Sequence, residues 1–409
     1  MIQGKSISGL SYAIKKTSGK AACCAISINC GTRAEGDLPE GIAHFVEHCV
    51  FKGTGKHSAR SISQLLDKLG GELNAYTTKE EIVLHATVLK EDIYKAISLL
   101  LEIATQATFP EDEIQTEKGV VIDEIISYLD SPSEDIYDNF ESRFFEGHPL
   151  GRLTLGTEES IKGARRQDLV DYYETYFTPS RMVLSVVADI DENKMEKKVC
   201  SLIGKYCATS KPDSPEERPC TYPTPNFFSI REDKDNHEAN LIIGSLAPSL
   251  YDENERICCV LLANILGGPA GNSLLNAELR EKHGWVYATE CNYTQYKDAG
   301  LVTISVGCDK DNLTKCIKAI SKILEKLKET PMSEKALKEA KRQLSGQLAI
   351  SSDSKESQAL SMGKSMLAYG RVASDDEHLK RINAISPEDI RQMAQRLWEE
   401  DHYSQLLYL

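Results

Sequence analysis

Residues 41–48 read Gly41-Ile-Ala-His44-Phe-Val-Glu47-His48. Ile42, Phe45 and Val46 supply an apolar side, so the periodicity predicts a short helix with that side buried. His44 and His48 are four residues apart, one turn along the same face, and can reach one metal ion together. Two neutral imidazoles and a carboxylate leave Zn²⁺ a fourth position for water, which marks a catalytic zinc site. Glu47 projects beside the pair, placed to take a proton from that water. His44 and His48 are therefore read as metal ligands, Glu47 as general base and zinc, one per chain, as the cofactor.

A third ligand has to come from elsewhere. The helical stretch from Glu111 to Leu129 carries Glu113, Glu117 and Glu124 along one stripe. Glu117 and Glu124 are nearly two full turns apart. Val120, Val121, Ile125 and Ile126 predict that this helix is largely buried, and a buried carboxylate needs a partner, of which a metal is one. The residues alone leave the choice among the three glutamates open. Cys49, directly after His48, reads either as a thiol that makes the site sensitive to alkylation or as a small apolar filler.

Further out, the chain looks duplicated. Before the glutamate helix come a β-like run, EIVLHATVL (81–89), an amphipathic helix (91–107) and a Phe-Pro step. The order recurs at LVTISVGCD (301–309), a helix over 310–329, a Pro-Met step and a helix over 333–349. Between the halves, residues 207–228 hold five of the fourteen prolines, a run that continues neither a helix nor a central strand. The expected organisation is a zinc-bearing domain 1–208, a linker 209–226 and a similar domain 227–409. The expected fold class is α+β, with a mostly antiparallel sheet in each domain and helices on one face. Neither half shows the βαβ rhythm and Gly-rich first turn of a dinucleotide fold.

Composition sets outer bounds. At 409 residues, 41% apolar and 27% charged, the chain is an ordinary globular one. With 48 basic and 62 acidic residues its net charge is −14, which argues against nucleic acid and anionic membranes as partners; it leaves room for neutral or basic peptides, and by itself reads as simple solubility. No stretch approaches the roughly 18 apolar residues of a membrane span. The start, MIQGKSISGLSYAIKK, has no signal-peptide pattern. Twelve scattered cysteines without a Cys-x-x-Cys pair read as free thiols, so the cytoplasm is the expected compartment.

Taken together, these segments resemble the pitrilysin-like M16 metallopeptidases, most closely the short-chain branch that includes mitochondrial processing peptidase, over nearly the whole chain. The resemblance implies Glu124, 76 residues after His48, as third ligand and Glu117, seven before it, as a supporting carboxylate. Asn74, Ala75, Tyr76 and Thr77 resemble the family's edge strand, which pairs with extended substrate. His148-Pro-Leu-Gly-Arg152, Leu155 to Ser160, Thr178-Pro179 and Arg181-Met-Val183 follow the family pattern. So do Gly267-Gly268 and the stretch from Leu279 through Arg280 to Tyr287, with Pro269, Trp285 and Val286 as small departures. Arg280 and Tyr287 would hold the substrate carbonyl and stabilise the oxyanion.

The resemblance further implies a metalloendopeptidase acting on peptides or unfolded segments in an enclosed chamber. The chain matches half of a clamshell, so a homodimer with Arg280 and Tyr287 acting in trans is expected. The competing expectations are a catalytically silent structural or peptide-binding subunit of the same fold, and an amidase with the same zinc chemistry.

Overall fold

The computed structural model describes residues 1–208, 222–234 and 237–409. Most of the expected linker, 209–221, lies outside them. Strands form where β-branched and small apolar residues alternate between two buried faces. In the first unit, β1 (Ile2–Lys5), β2 (Ser11–Lys16), β3 (Ala21–Ile28), β4 (Glu72–Thr77), β5 (Ile82–Leu89) and β6 (Met182–Ala188) make one sheet in the order β1-β2-β6-β3-β5-β4. In the second, β7 (Ser229–Glu232), β8 (Glu238–Ala247), β9 (Val286–Gln295), β10 (Gly300–Asp309) and β11 (Tyr403–Tyr408) are ordered β7-β11-β8-β10-β9.

The two sheets repeat one topology. In each, an early strand pairs in parallel with the last (β2 with β6, β7 with β11). The last strand then lies antiparallel to β3 or β8, and these to β5 or β10, whose outer neighbour is the edge strand β4 or β9. The α+β class and the similarity of the halves hold.

Each sheet carries its main helical layer on one face. In the first unit, Leu84 and Ala86 of β5 and Ile26 of β3 pack with Phe45 and Val46 of the motif helix (Ile42–Cys49) and with Ile97, Leu100 and Leu101 of the helix Ile93–Gln106. In the second, Ile304 and Val306 pack with Leu262 and Leu266 of the helix Glu253–Gly267 and Ile320 of the helix Lys310–Glu329.

The structure departs from the expected contiguous domains, because each unit takes one helix from the other half of the sequence. The first unit comprises Met1–Ile126, 152–208 and Ile350–Ala373; the second comprises Ser127–Gly151, 222–349 and Ser374–Leu409. The helix Lys355–Tyr369 sets Ala359, Met362 and Met366 on the free face of the first sheet, against Ala13, Cys23, Val183 and Val187. It lies so close that a Cβ at Gly363 would collide with Ser27. The helix Pro132–Phe144 does the same in the second unit, placing Ile136, Phe140 and Phe144 on Ile242, Leu301 and Leu406. Helical periodicity shows that such a segment has an apolar side; it does not say which sheet that side meets.

Among the described residues no helix is long and apolar enough to cross a membrane. Each described cysteine is free, and all but Cys200 are buried.

Candidate active site

The motif helix has only eight residues, so its ends need outside support. Gly41 caps its N-terminus at φ 84°, a left-handed conformation, and a Cβ there would meet the Leu155 carbonyl at 2.5 Å. Gly156, also at positive φ, packs its backbone on Glu40. The buried Glu35 accepts from the Ala43 N–H at 3.1 Å, satisfying one of the helix's open donors. Arg152 in turn donates to Glu35 at 2.8 Å and to the carbonyls of Gly36 and Leu38 at 2.9 Å. Leu153 N–H bonds Glu40 at 2.7 Å, and Ser160 Oγ donates to the Glu40 carbonyl at 2.7 Å. The segments around Arg152 and Leu155–Ser160 thus clamp the entry to the motif helix.

The exit is tied to the helix Glu111–Leu129. Thr108 N–H donates to the Gly53 carbonyl at 3.0 Å, and Thr54 bridges Ala107. The buried Glu102 fixes this loop, accepting from Thr54 Oγ1 at 2.6 Å and lying 2.7 Å from His57 Nδ1. Arg166 holds the Thr108 and Phe109 carbonyls just before the second helix starts. The helix carrying His44 and His48 and the helix carrying Glu124 are therefore fixed to each other at one end.

Between them, ligand atoms of His44, His48 and Glu124 all lie within 4.8 Å of one another. Glu124 Oε2 is 3.4 Å from His48 Nε2 and 3.8 Å from His44 Nε2. His48 Nδ1 is 3.0 Å from Glu117 Oε1, whose second oxygen meets Lys52 Nζ at 2.6 Å. A ligating histidine whose other nitrogen is bound to a carboxylate is the usual support of a zinc site. Two nitrogens and one oxygen, converging with a further position left open, suit Zn²⁺. Glu113 is not in this group. Glu117 is buried and Glu124 is 44% exposed at its side chain. The helix is less buried than its sequence suggests: Val121 and Ile125 are covered, but Val120 and Ile126 are exposed.

The electrostatics favour a cation. The imidazoles lie 4.6 Å apart edge to face. Burial, then the neighbouring His48, pushes His44 down to about 4, against the pull of Glu124. Burial also acts against a charge on His48, but bonds to Glu117 and Glu124 and the charges of Glu47 and Glu124 outweigh it, holding His48 up at about 9. Without an ion the proton is favoured on His48, between Glu117 and Glu124, and a metal ion bound there would displace it. Burial raises the Glu47 carboxyl above its usual range, opposed by a bond from Thr77 Oγ1 to Oε2 at 2.8 Å. A base with a raised pKa suits proton transfer near neutral pH.

The expected substrate strand is β4, at the sheet edge with β5 as its partner. Leu73 and Ala75 face the main core, and Thr77 reaches Glu47 on the same side; Asn74 and Tyr76 alternate to the other. Arg280 and Tyr287 belong to the second unit. Arg280 is exposed on the π-helical turn Asn276–Lys282. Tyr287, on edge strand β9, donates its hydroxyl to Asp309 at 2.7 Å. Gly267 lies against Cys291 of β9, where a Cβ would collide. Cys49 is fully buried and its thiol is pushed far up by burial, so it is a core filler, not a reactive group.

Sequence reasoning missed Lys52 beside Glu117, Thr77 as the partner of Glu47, and the Glu35–Arg152 clamp. Each of these partners is remote in sequence from the group it meets, so no local signal marks it.

An inverted His-x-x-Glu-His helix with a third carboxylate from a later helix, in a frame of two like α+β units, is the arrangement of the pitrilysin-like metallopeptidases. Known proteins agree. Residues 12–158 match "Insulinase (Peptidase family M16)" and residues 164–344 match "Peptidase M16 inactive domain". The chain is 33% identical over 383 residues to "Uncharacterized zinc protease YmxG" of Bacillus subtilis, covering 92% of this chain and 91% of that one. It is 27% identical over 378 residues to "Uncharacterized zinc protease ML0855" of Mycobacterium leprae, covering 92% and 84%. A crystal structure of a protease from Helicobacter pylori superposes with a TM-score of 0.90 at 19% identity, covering 100% and 98% of the two chains, a likeness of fold. The chain belongs to peptidase family M16.

Proposed function

We propose that this chain is a zinc-dependent endopeptidase that cuts extended peptides or unfolded segments. The observation that carries this reading is the convergence of His44, His48 and Glu124 within 4.8 Å beside the buried carboxylate of Glu47. His44, His48 and Glu124 would hold the ion. Zn²⁺ bound there supplies Lewis acidity, which acidifies a water and polarises the scissile carbonyl.

The rest is done by the chain's own residues. A substrate backbone in extended form adds to the open edge of β4, where main-chain hydrogen bonds fix its register. A folded protein does not offer such a backbone, hence the preference for peptides. Glu47 takes the proton from the attacking water at the carboxylate oxygen that Thr77 leaves free, then passes it to the leaving amine. Glu117 orients His48 through Nδ1. Arg280 and Tyr287 are proposed to hold the substrate carbonyl, acting on the partner's site in a homodimer. The exposed Arg280 side chain supports this role.

The test is zinc content and cleavage of a mixed peptide library by wild type and Glu47→Gln. About one zinc per chain in both, with turnover at least ~100-fold lower in the variant, is expected. Zinc in both and cleavage in neither would favour a silent, peptide-binding subunit.

A further inference from the structure

Thr77 belongs to the strand proposed to bind substrate, yet its side chain does something else. Its hydroxyl donates to Glu47 Oε2 at 2.8 Å, and the acceptor residue is 9% exposed. A glutamate has three rotatable side-chain bonds, and a general base works only in the rotamer that meets the proton. Holding one carboxylate oxygen leaves the other free to face water.

The hydroxyl itself is well anchored. Thr77 is the last residue of β4, in register with Ile82. The turn that follows is pinned on several sides. Thr78 N–H bonds the Glu81 carbonyl at 2.8 Å, and Thr78 Oγ1 accepts from Glu80 and Glu81 at 3.3 and 3.1 Å. Thr32 and Arg33 donate to the carbonyls of Thr78 and Lys79 at 3.2 and 2.9 Å, and the buried Lys79 reaches the Arg152 carbonyl. A β-branched residue is also stiff at χ1, so backbone and hydroxyl move together.

We propose that Thr77 is a positioning residue: its hydroxyl sets the orientation of Glu47 and links it to the strand on which the substrate lies. The inference rests on the peptidase reading above and assigns Thr77 a second task in it. A peptide pairing with β4 stiffens the same strand end that aims the base, so docking and proton transfer are coupled through one side chain.

The test uses the full-length chain with Thr77→Val, which keeps the shape and removes the donor, and Thr77→Ser, which keeps the donor. Zinc per chain, zinc affinity by chelator competition, and kcat and KM would be measured. The substrate would be a fluorescence-quenched peptide chosen from a mixed library as one the wild type cuts. In Thr77→Val, zinc uptake stays as in wild type, KM stays within about two-fold and kcat falls about 10–100-fold; Thr77→Ser recovers most of the loss. Wild-type kcat in Thr77→Val overturns the inference, as does a loss confined to KM, a loss of zinc, or a Ser variant as poor as the Val one. A wild type that holds zinc and cuts no peptide overturns the peptidase reading itself, and the role of Thr77 with it.

Discussion

Glu117 and Glu124 share one helix stripe and sit in different surroundings. Glu124 offers an oxygen to the two histidines from a half-exposed position, whereas Glu117 is buried between His48 Nδ1 and Lys52. Removing them should therefore differ in kind. Glu124→Ala should abolish stoichiometric zinc binding, and Glu117→Gln should retain the site with affinity lower by about 10–100-fold. Chelator competition on the two purified variants measures both. The sequence set Glu113, Glu117 and Glu124 on one helix stripe without choosing among them, and only the resemblance picked Glu124 as ligand and Glu117 as its support. Lys52 stayed hidden, because a lysine four residues after a histidine reads as solvated until the facing helix is known.

At the level of elements, the motif helix is two turns held by its surroundings. Burial of Glu35 pushes its carboxyl up to about 7, against the Ala43 N–H and Arg152. A folded state that keeps this proton while the unfolded chain releases it near 4.5 loses stability as pH rises from there through about 7. Relative to Glu35→Gln, the wild type should lose about 1–3 kcal/mol between pH 4.5 and 7.5. Urea unfolding of metal-free protein across that range reads the difference. A gap between the two proteins that stays constant with pH would remove Glu35 as the cause. The elements read from periodicity were legible: the run expected at 81–89 is β5 at Ile82–Leu89, and the helix expected over 111–129 has those limits. Pairing was not, since nothing local tells β2 that it will lie parallel to β6.

For the whole molecule, the exchange of helices decides what can fold alone. A chain ending at residue 208 keeps all six strands of the first sheet but lacks the helix Lys355–Tyr369, which covers Val183, Val187 and Cys23. Each large side chain left uncovered costs about 1.5–3 kcal/mol, enough to exhaust a marginal domain. Such a fragment should give near-native far-UV dichroism without a sharp thermal transition, while the full chain melts cooperatively. Sharing of the site between chains is a separate question, tested by mixing Glu47→Gln with Tyr287→Phe protein. Activity in the mixture above that of either parent is the expected result, and no gain would place Arg280 and Tyr287 in service of their own chain.

The same exchange has a cost in time. During synthesis the first sheet is complete once β6 and its flanking helix have been made, but its covering helix follows about 160 residues later. At 5–20 residues per second, that leaves the nascent sheet half-clothed for roughly 8–30 s, long enough for a ribosome-bound chaperone to matter.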